Sequence, residues 1–178
     1  KVGQKTHPLG FRLGVTQEHK SGWYAKFNQY STLLQEDDKI RTYLNKLTKS
    51  ASISNVTIHR NGLGNQIQLT IESGRPGALV GEGGVGIENL LNSIRKFLPA
   101  DRQINVNILE VEKANLNASL LADLVVKKLE ERVAFRRAIR EAIQNAQEDQ
   151  ASGVKVQVSG RLNGAEIARS EWLREGRV

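Results

Sequence analysis

The sequence predicts an α+β protein in two successive units, and three patterns carry that expectation. Ile67, Leu69 and Ile71 alternate with Gln66, Gln68 and Thr70, as on a strand with one buried face. Ile87, Leu90, Leu91, Ile94 and Leu98 recur at three- and four-residue spacing, as on an amphipathic helix. Between them Gly81, Gly83, Gly84 and Gly86 crowd one short loop. Strands and helices mixed in this order read as a small sheet with helices packed on one face.

Composition narrows the function. The 178 residues suffice for one medium domain or two small ones with real cores. The net charge of +7 fits a polyanionic partner, nucleic acid before membrane. Aromatic residues make up only 5%, so base stacking is not the main binding mode throughout. With no cysteine, disulfides, zinc ribbons and thiol nucleophiles are excluded. No apolar run approaches the ~20 residues that span a bilayer, so no membrane partner is expected.

Residues 1–36 read as a basic N-terminal arm. Up to about Gln35, Lys1, Lys5, Arg12, Lys20 and Lys26 face only Glu18, and Pro8, Gly10, Gly14 and Gly22 punctuate them. Such a segment reads as irregular and ordering on a partner, with a frayed terminus as the alternative. Trp23, Tyr24, Phe27 and Tyr30 are expected to pin the arm to the core.

The first folded unit spans residues 37–112. A helix is predicted from Asp37, with Ile40, Tyr43, Leu44 and Leu47 as its apolar stripe and Asp37 and Asp38 at its N-terminus. A strand with Ile53, Val56 and Ile58 follows, then a turn at Asn61-Gly62-Leu63-Gly64, then the Ile67–Ile71 strand. The glycine loop and its helix come next, and Ile104 to Val111 forms a third strand. The expected product is a helix on a three-stranded mixed sheet.

The second unit, residues 113–178, is predicted as a two-layer α/β domain. Residues 118–149 read as helix in two pieces, and Val154, Val156 and Val158 as a strand. The tail SGRLNGAEIARSEWLREGRV offers no obvious element to close a sheet, so the domain reads as incomplete at its C-terminus.

No catalytic, metal or cofactor site is expected. His7, His19 and His59 lie in separate segments without metal-ligand spacing. No G-x-S-x-G is present. The carboxylate pairs Asp37–Asp38, Glu130–Glu131 and Glu148–Asp149 read as solvated charges.

The glycine loop admits two readings. Gly81, Gly83 and Gly86 satisfy G-x-G-x-x-G, with Asp101 near the distance of a ribose-binding acid. Against a dinucleotide site, only three apolar residues precede Gly81, and no second βαβ unit follows. The other reading is the G-x-x-G clamp of a KH type II domain, Gly81-Glu82-Gly83-Gly84, which grips a nucleic-acid backbone. Here Glu82 repels phosphate, and a plain connecting turn is the alternative.

Arginines further on form a second candidate. Arg132, Arg136 and Arg140 recur every fourth residue, with Arg137 beside them and Lys128 one turn earlier. A ladder of about 6 Å per step suits phosphates along a strand. A solvated face with an Arg137–Glu141 pair is the alternative, but Arg136 and Arg140 lack acids at helical offsets. In the tail, Arg161, Arg169, Arg174 and Arg177 mix with Glu166, Glu171 and Glu175, a surface for RNA or protein.

GQKTHPLGFRLG, SGRPGALVGEGG, LEERVAFRRAIREAIQNA and SGRLNGAEIARSEWLREGRV occur in this order and together resemble the small-subunit ribosomal protein S3 family of bacteria and plastids. LGFRLGVTQEHKSGWYA and LLQEDDKIR resemble its cyanobacterial and plastid branch. The resemblance implies a structural constituent of the small ribosomal subunit rather than an enzyme, in a chloroplast ribosome or a cyanobacterial cytoplasm. It implies binding to small-subunit rRNA in the head, contact with the head proteins numbered ten and fourteen, and a share of the mRNA entry tunnel. Carried over by motif, Arg136, Arg137 and Arg140 would hold mRNA, and the spacing of the ladder adds Arg132 to them. Within the arm segment from Gly3 to Gly14, Lys5, His7 and Arg12 would meet rRNA. The loop departs from the family's basic GKKG or GRGG, and relatives continue past EGRV. A free KH-type RNA-binding protein or chaperone, and a dinucleotide-binding protein, are the competing functions.

Overall fold

In the computed structural model the described residues are 3–62 and 65–178, without the side chains of Lys49, Ser50 and Glu82. The chain divides into two compact units, Lys1–Leu109 and Glu110–Val178.

The first unit opens with a short helix, α1 (Pro8–Arg12), and a two-residue strand, β1 (Ser21–Gly22). The long helix α2 (Phe27–Ala51) follows, then β2 (Ile53–Arg60) and β3 (Gln66–Ser73). After β3 come α3 (Pro76–Val80), a 3-10 turn (Glu82–Gly84), α4 (Val85–Arg95) and β4 (Gln103–Glu110). The sheet order is β1-β2-β3-β4. β1 runs parallel to β2, and β2 antiparallel to β3 with Val56 opposite Ile71 and Ile58 opposite Leu69.

The predicted alternation is realised. Ile58, Ile67, Leu69 and Ile71 are essentially sealed from solvent and pack with Ile40 and Leu44 of α2 and Ile94 of α4. At the hairpin, Asn61 holds the strand ends together: its N–H donates to the Gln66 carbonyl at 3.2 Å, and its Oδ1 accepts from the Gln66 N–H at 3.2 Å. Of the predicted turn, Leu63 and Gly64 lie outside the described residues.

Two features of this unit differ from expectation. The arm is not irregular throughout, because it contributes α1 and β1, and β1 makes the sheet four-stranded. Arg41 explains the docking of β1. Its guanidinium donates to the Val56 carbonyl at 2.8 Å, the Lys20 carbonyl at 2.7 Å and Ser21 Oγ at 2.8 Å, lashing α2, β2 and β1 together. And α2 begins at Phe27, not Asp37. Leu33 lies seven residues before Ile40 on the same buried face, so the apolar stripe extends upstream.

Asp37 is therefore not an N-terminal or solvated acid. It is only 3% exposed, within the helix. Arg60 Nε donates to its Oδ1 at 3.1 Å and Trp23 Nε1 to its Oδ2 at 2.7 Å. Neighbouring Glu36, also buried, accepts from Arg60 at 2.7 Å and from Arg102 at 3.1 Å. Charge can be buried here because each carboxylate meets hydrogen-bonded guanidinium. Of the aromatic cluster, Trp23 is anchored to Asp37 and rests 5.0 Å from Tyr30 between ring centres. Tyr24 and Phe27 are exposed and pin nothing.

The second unit begins with a 3-10 turn (Ala114–Leu116) and α5 (Ala118–Glu130), whose first turn is capped by Asn117 Oδ1 accepting from the Ser119 N–H at 3.0 Å. Then come α6 (Phe135–Glu148), β5 (Gly153–Gly160), a 3-10 turn (Leu162–Gly164) and β6 (Arg169–Gly176). The helical stretch is thus in two pieces, as expected. The tail differs from expectation, because β6 pairs antiparallel with β5 along its length, from Gly160–Arg169 to Gly153–Gly176.

The buried face of α6 divides its work. Ala138, Ala142 and Ala146 pack against Leu121 and Val125 of α5, where small side chains let two helices approach. Phe135, Ile139 and Ile143 pack with Leu162 against Val154, Val156 and Val158 of β5.

Candidate nucleic-acid interface

With its alanines and isoleucines committed inward, α6 leaves Arg136, Arg137 and Arg140 exposed on its other side. At about 100° per residue the three fall within a roughly 100° arc. Arg136 and Arg137 occupy the first turn, where the helix dipole disfavours cations and where no acid is present. The N-cap residue Ala134 makes no side-chain cap, and the Arg137 N–H is taken by the Ala134 carbonyl at 2.9 Å. Positive charge accumulates at this end, as an anion site requires.

The ladder itself differs from expectation in three respects. Arg132 is not on the helix: it lies in the α5–α6 turn with φ +61°. Arg136 does have an acidic partner, Glu171 of β6, with Nε 3.4 Å from Oε2. That partner is thirty-five residues away, so helical offsets could not reveal it. Lys128 is engaged as well, pairing with Glu141 at 2.9 Å across the two helices, where the sequence suggested Arg137 as the partner of Glu141. Arg137 and Arg140 remain without an acidic partner among the described residues. A cleft of about 230 Å³ runs beside Arg140, bordered also by Arg136, Ile139, Glu171, Trp172 and Leu173.

The tail arginines separate into different roles. Arg161 Nε donates to the Ala165 carbonyl at 2.9 Å and closes the turn before β6. Arg169 pairs with Glu171 at 3.0 Å, so Glu171 serves two arginines. Arg174 lies over the Trp172 ring, 5.7 Å from its centre, and Arg177 is exposed. Arg174 stands out in the sequence by its charge among the tail arginines, whereas its neighbours Trp172 and Lys155 do not. The signal was alternation along 169–176, hidden because nearly every residue of β6 is exposed.

In the arm, His7 caps α1, its Nδ1 accepting from the Gly10 N–H at 3.3 Å, and Arg12 donates to the Pro8 carbonyl at 3.0 Å. Both side chains stay exposed, as does Lys5.

The glycine loop joins two helices, α3 and α4, not a strand and a helix, which removes the dinucleotide reading. Asp101 is exposed and lies 3.9 Å from Arg102. A Cβ at Gly86 would fall 2.4 Å from the Leu79 carbonyl oxygen, so this glycine permits α3 and α4 to touch. Gly83 and Gly84 have φ +64° and +85° with open space around them. They give the loop its shape and leave its outer side unobstructed.

Among the described residues no group of histidines and carboxylates is arranged to hold a metal, and no helix is long and apolar enough to cross a membrane.

Comparison with known proteins agrees with this architecture. Residues 39–116 match the KH domain family and residues 125–178 match the family described as ribosomal protein S3, C-terminal domain. The small ribosomal subunit protein uS3c of Thalassiosira pseudonana is 70% identical over 99% of this chain and 83% of its own length. The uS3 protein of Thermosynechococcus vestitus is 55% identical over 99% of this chain and 74% of its own length. The uS3c protein of Porphyra purpurea is 51% identical, over 99% and 76%.

Proposed function

The chain belongs to the uS3 family of small ribosomal subunit proteins, and from that premise we propose that it binds small-subunit rRNA in the head and lines the mRNA entry. It acts as a structural constituent, not an enzyme. The 70% identity to the uS3c protein of Thalassiosira pseudonana, against 55% to the uS3 protein of Thermosynechococcus vestitus, supports a plastid ribosome over a cyanobacterial one. The head proteins numbered ten and fourteen are the proposed neighbours.

One observation carries the mRNA assignment: α6 buries one face and presents Arg137 and Arg140 without acids opposite, beside Arg136 at a helix start. Guanidiniums so placed contact phosphates and read no bases, as a moving messenger demands. Arg132 adds charge from the preceding turn. Arg136 joins when RNA phosphate displaces the long contact to Glu171. Lys5, His7 and Arg12 of the arm are assigned to rRNA, as are Arg161, Arg169, Arg174 and Arg177 to RNA or protein neighbours. The loop Gly81–Gly84 serves chiefly as the link between α3 and α4, because Glu82 opposes phosphate.

The test is a small subunit reconstituted with Arg137→Ala/Arg140→Ala protein. Assembly should be unchanged, and translation through a stable messenger hairpin should slow severalfold while unstructured messenger is read normally. Equal rates on both messengers would overturn the assignment.

A further inference from the structure

The β5–β6 ladder has a second face, of which the preceding function uses only Arg174. Val154, Val156 and Val158 point toward α6, and with them their cross-strand partners Glu175, Leu173 and Glu171. Alternation then sends Lys155, Gln157 and Ser159 to the other side, opposite Arg174, Trp172 and Ser170. All six are exposed. The acids of β6 are thus all on the inner face, and the outer face carries two cations, an amide, two hydroxyls and an indole.

Two details of this face point to a ligand. Lys155 and Arg174 are direct cross-strand partners, and like charges so placed destabilise a ladder. Neither has an acidic partner among the described residues. An anion between them removes the penalty. Both cations lie over the ring of Trp172, Lys155 Nζ 5.1 Å and Arg174 Cζ 5.7 Å from its centre, and the indole is 53% exposed; drawing the cations onto a phosphate uncovers the ring. On the other flank the Ser159 and Ser170 hydroxyls are 2.8 Å apart. An exposed indole, two cations on paired strand positions and two hydroxyls on the same face match the parts of a single nucleotide.

We propose that the outer face of β5–β6 is a single-stranded RNA platform: a base stacks on Trp172, its phosphate sits between Lys155 and Arg174, and Gln157, Ser159 and Ser170 meet base edges or ribose hydroxyls. The chemistry favours RNA over a protein partner because the face has no carboxylate and only one large apolar group. It favours a single strand because a duplex hides its base faces. The inference rests on the chain's working on RNA, but not on α6 being where messenger is held.

The test uses the full 178-residue chain and a labelled single-stranded ten-residue oligouridylate. Trp172→Ala should weaken binding about tenfold or more, within the range for loss of one stacked base. Lys155→Ala and Arg174→Ala should each flatten the slope of log affinity against log salt, and the double variant should reduce it by about 0.7, the share of one phosphate. Trp172→Phe keeps a ring and should bind within about threefold of the parent while losing the RNA-induced quenching of tryptophan fluorescence. That quenching arm decides the matter even if Trp172→Ala misfolds. Binding by Trp172→Ala within twofold of the parent, or quenching that survives in Trp172→Phe, overturns the proposal. Arg137→Ala/Arg140→Ala is measured in parallel. Loss there alone rejects the platform and leaves the messenger assignment standing; loss in the Trp172 and Lys155 variants alone does the reverse. Unchanged RNA affinity in Trp172→Ala, with failure to enter small subunits, assigns the face to a protein and also overturns the proposal.

Discussion

Asp37 and Arg60 lie 23 residues apart and form an ion pair with neither side chain more than 4% exposed. The pair binds the middle of α2 to the end of β2, and through Trp23 it also holds the arm. Removing one partner strands a buried charge, which costs about 3–5 kcal/mol. Asp37→Ala should therefore lower unfolding stability by about that much in urea denaturation, while Asp38→Ala, on an exposed position next door, should change it by less than about 0.5 kcal/mol.

The loop glycines should differ in their tolerance of alanine. At Gly86 the added Cβ meets backbone oxygens of Leu79 and Val80 at 2.4 and 2.7 Å, so α3 and α4 must separate. At Gly83 nothing lies within 4 Å and only the positive φ resists. Gly86→Ala should lower stability by about 1–3 kcal/mol and Gly83→Ala by about 1 kcal/mol. Equal effects would mean that helix contact is not what Gly86 provides.

Arg132 holds φ +61°, a conformation that a residue with a Cβ adopts at a cost of about 1–2 kcal/mol. Arg132→Gly relieves this but loosens the unfolded chain, so the net gain should be about 0.5–1 kcal/mol, seen as a rise of a few degrees in Tm. RNA affinity should fall slightly at the same time, because one cation is lost.

Asp123, half-buried on α5, has its pKa raised above 3.8 by loss of solvation. The folded state therefore favours the protonated form. Its contribution is fully present below the unfolded pKa and is lost as pH rises through the folded one. Asp123→Asn should stabilise the protein at pH 7, by less than about 1 kcal/mol, and the advantage should vanish as pH falls toward 3. Urea midpoints of the two proteins at several pH values measure this directly.

Glu82→Lys changes the loop charge by two units without touching a glycine. Affinity for single-stranded RNA should rise severalfold at low salt and converge with the parent at high salt. No change would identify the loop as a connector only.

Much of the fold could be read from periodicity. The β3 alternation, the α4 stripe and the split of residues 118–149 all appear as the residues predict, because apolar side chains there answer to burial alone. Asp37 misled because an acid on a buried helix face looks like one at a helix start; only Arg60, on another element, explains it. β6 was invisible for the opposite reason, since a strand exposed on most positions leaves no apolar rhythm. The arginines were legible as a cluster but not as a geometry. Arg132 left the ladder through a backbone dihedral, and Arg136 found Glu171 through a sheet the tail was not expected to form.

The Trp23–Asp37 bond has a consequence for how the arm finds its target. It fixes one end of a basic segment to a folded body, with Lys5, Arg12 and Lys20 upstream of the fixed point. Once any other part of the protein is on RNA, those cations no longer search by diffusion. Their local concentration at nearby phosphates is on the order of millimolar, set by tether length. Weak individual contacts then add to residence time. Trp23→Ala removes this anchor while Arg41 and the β1–β2 pairing still hold the arm, and the loss should be felt in dissociation rate before it is felt in any single contact.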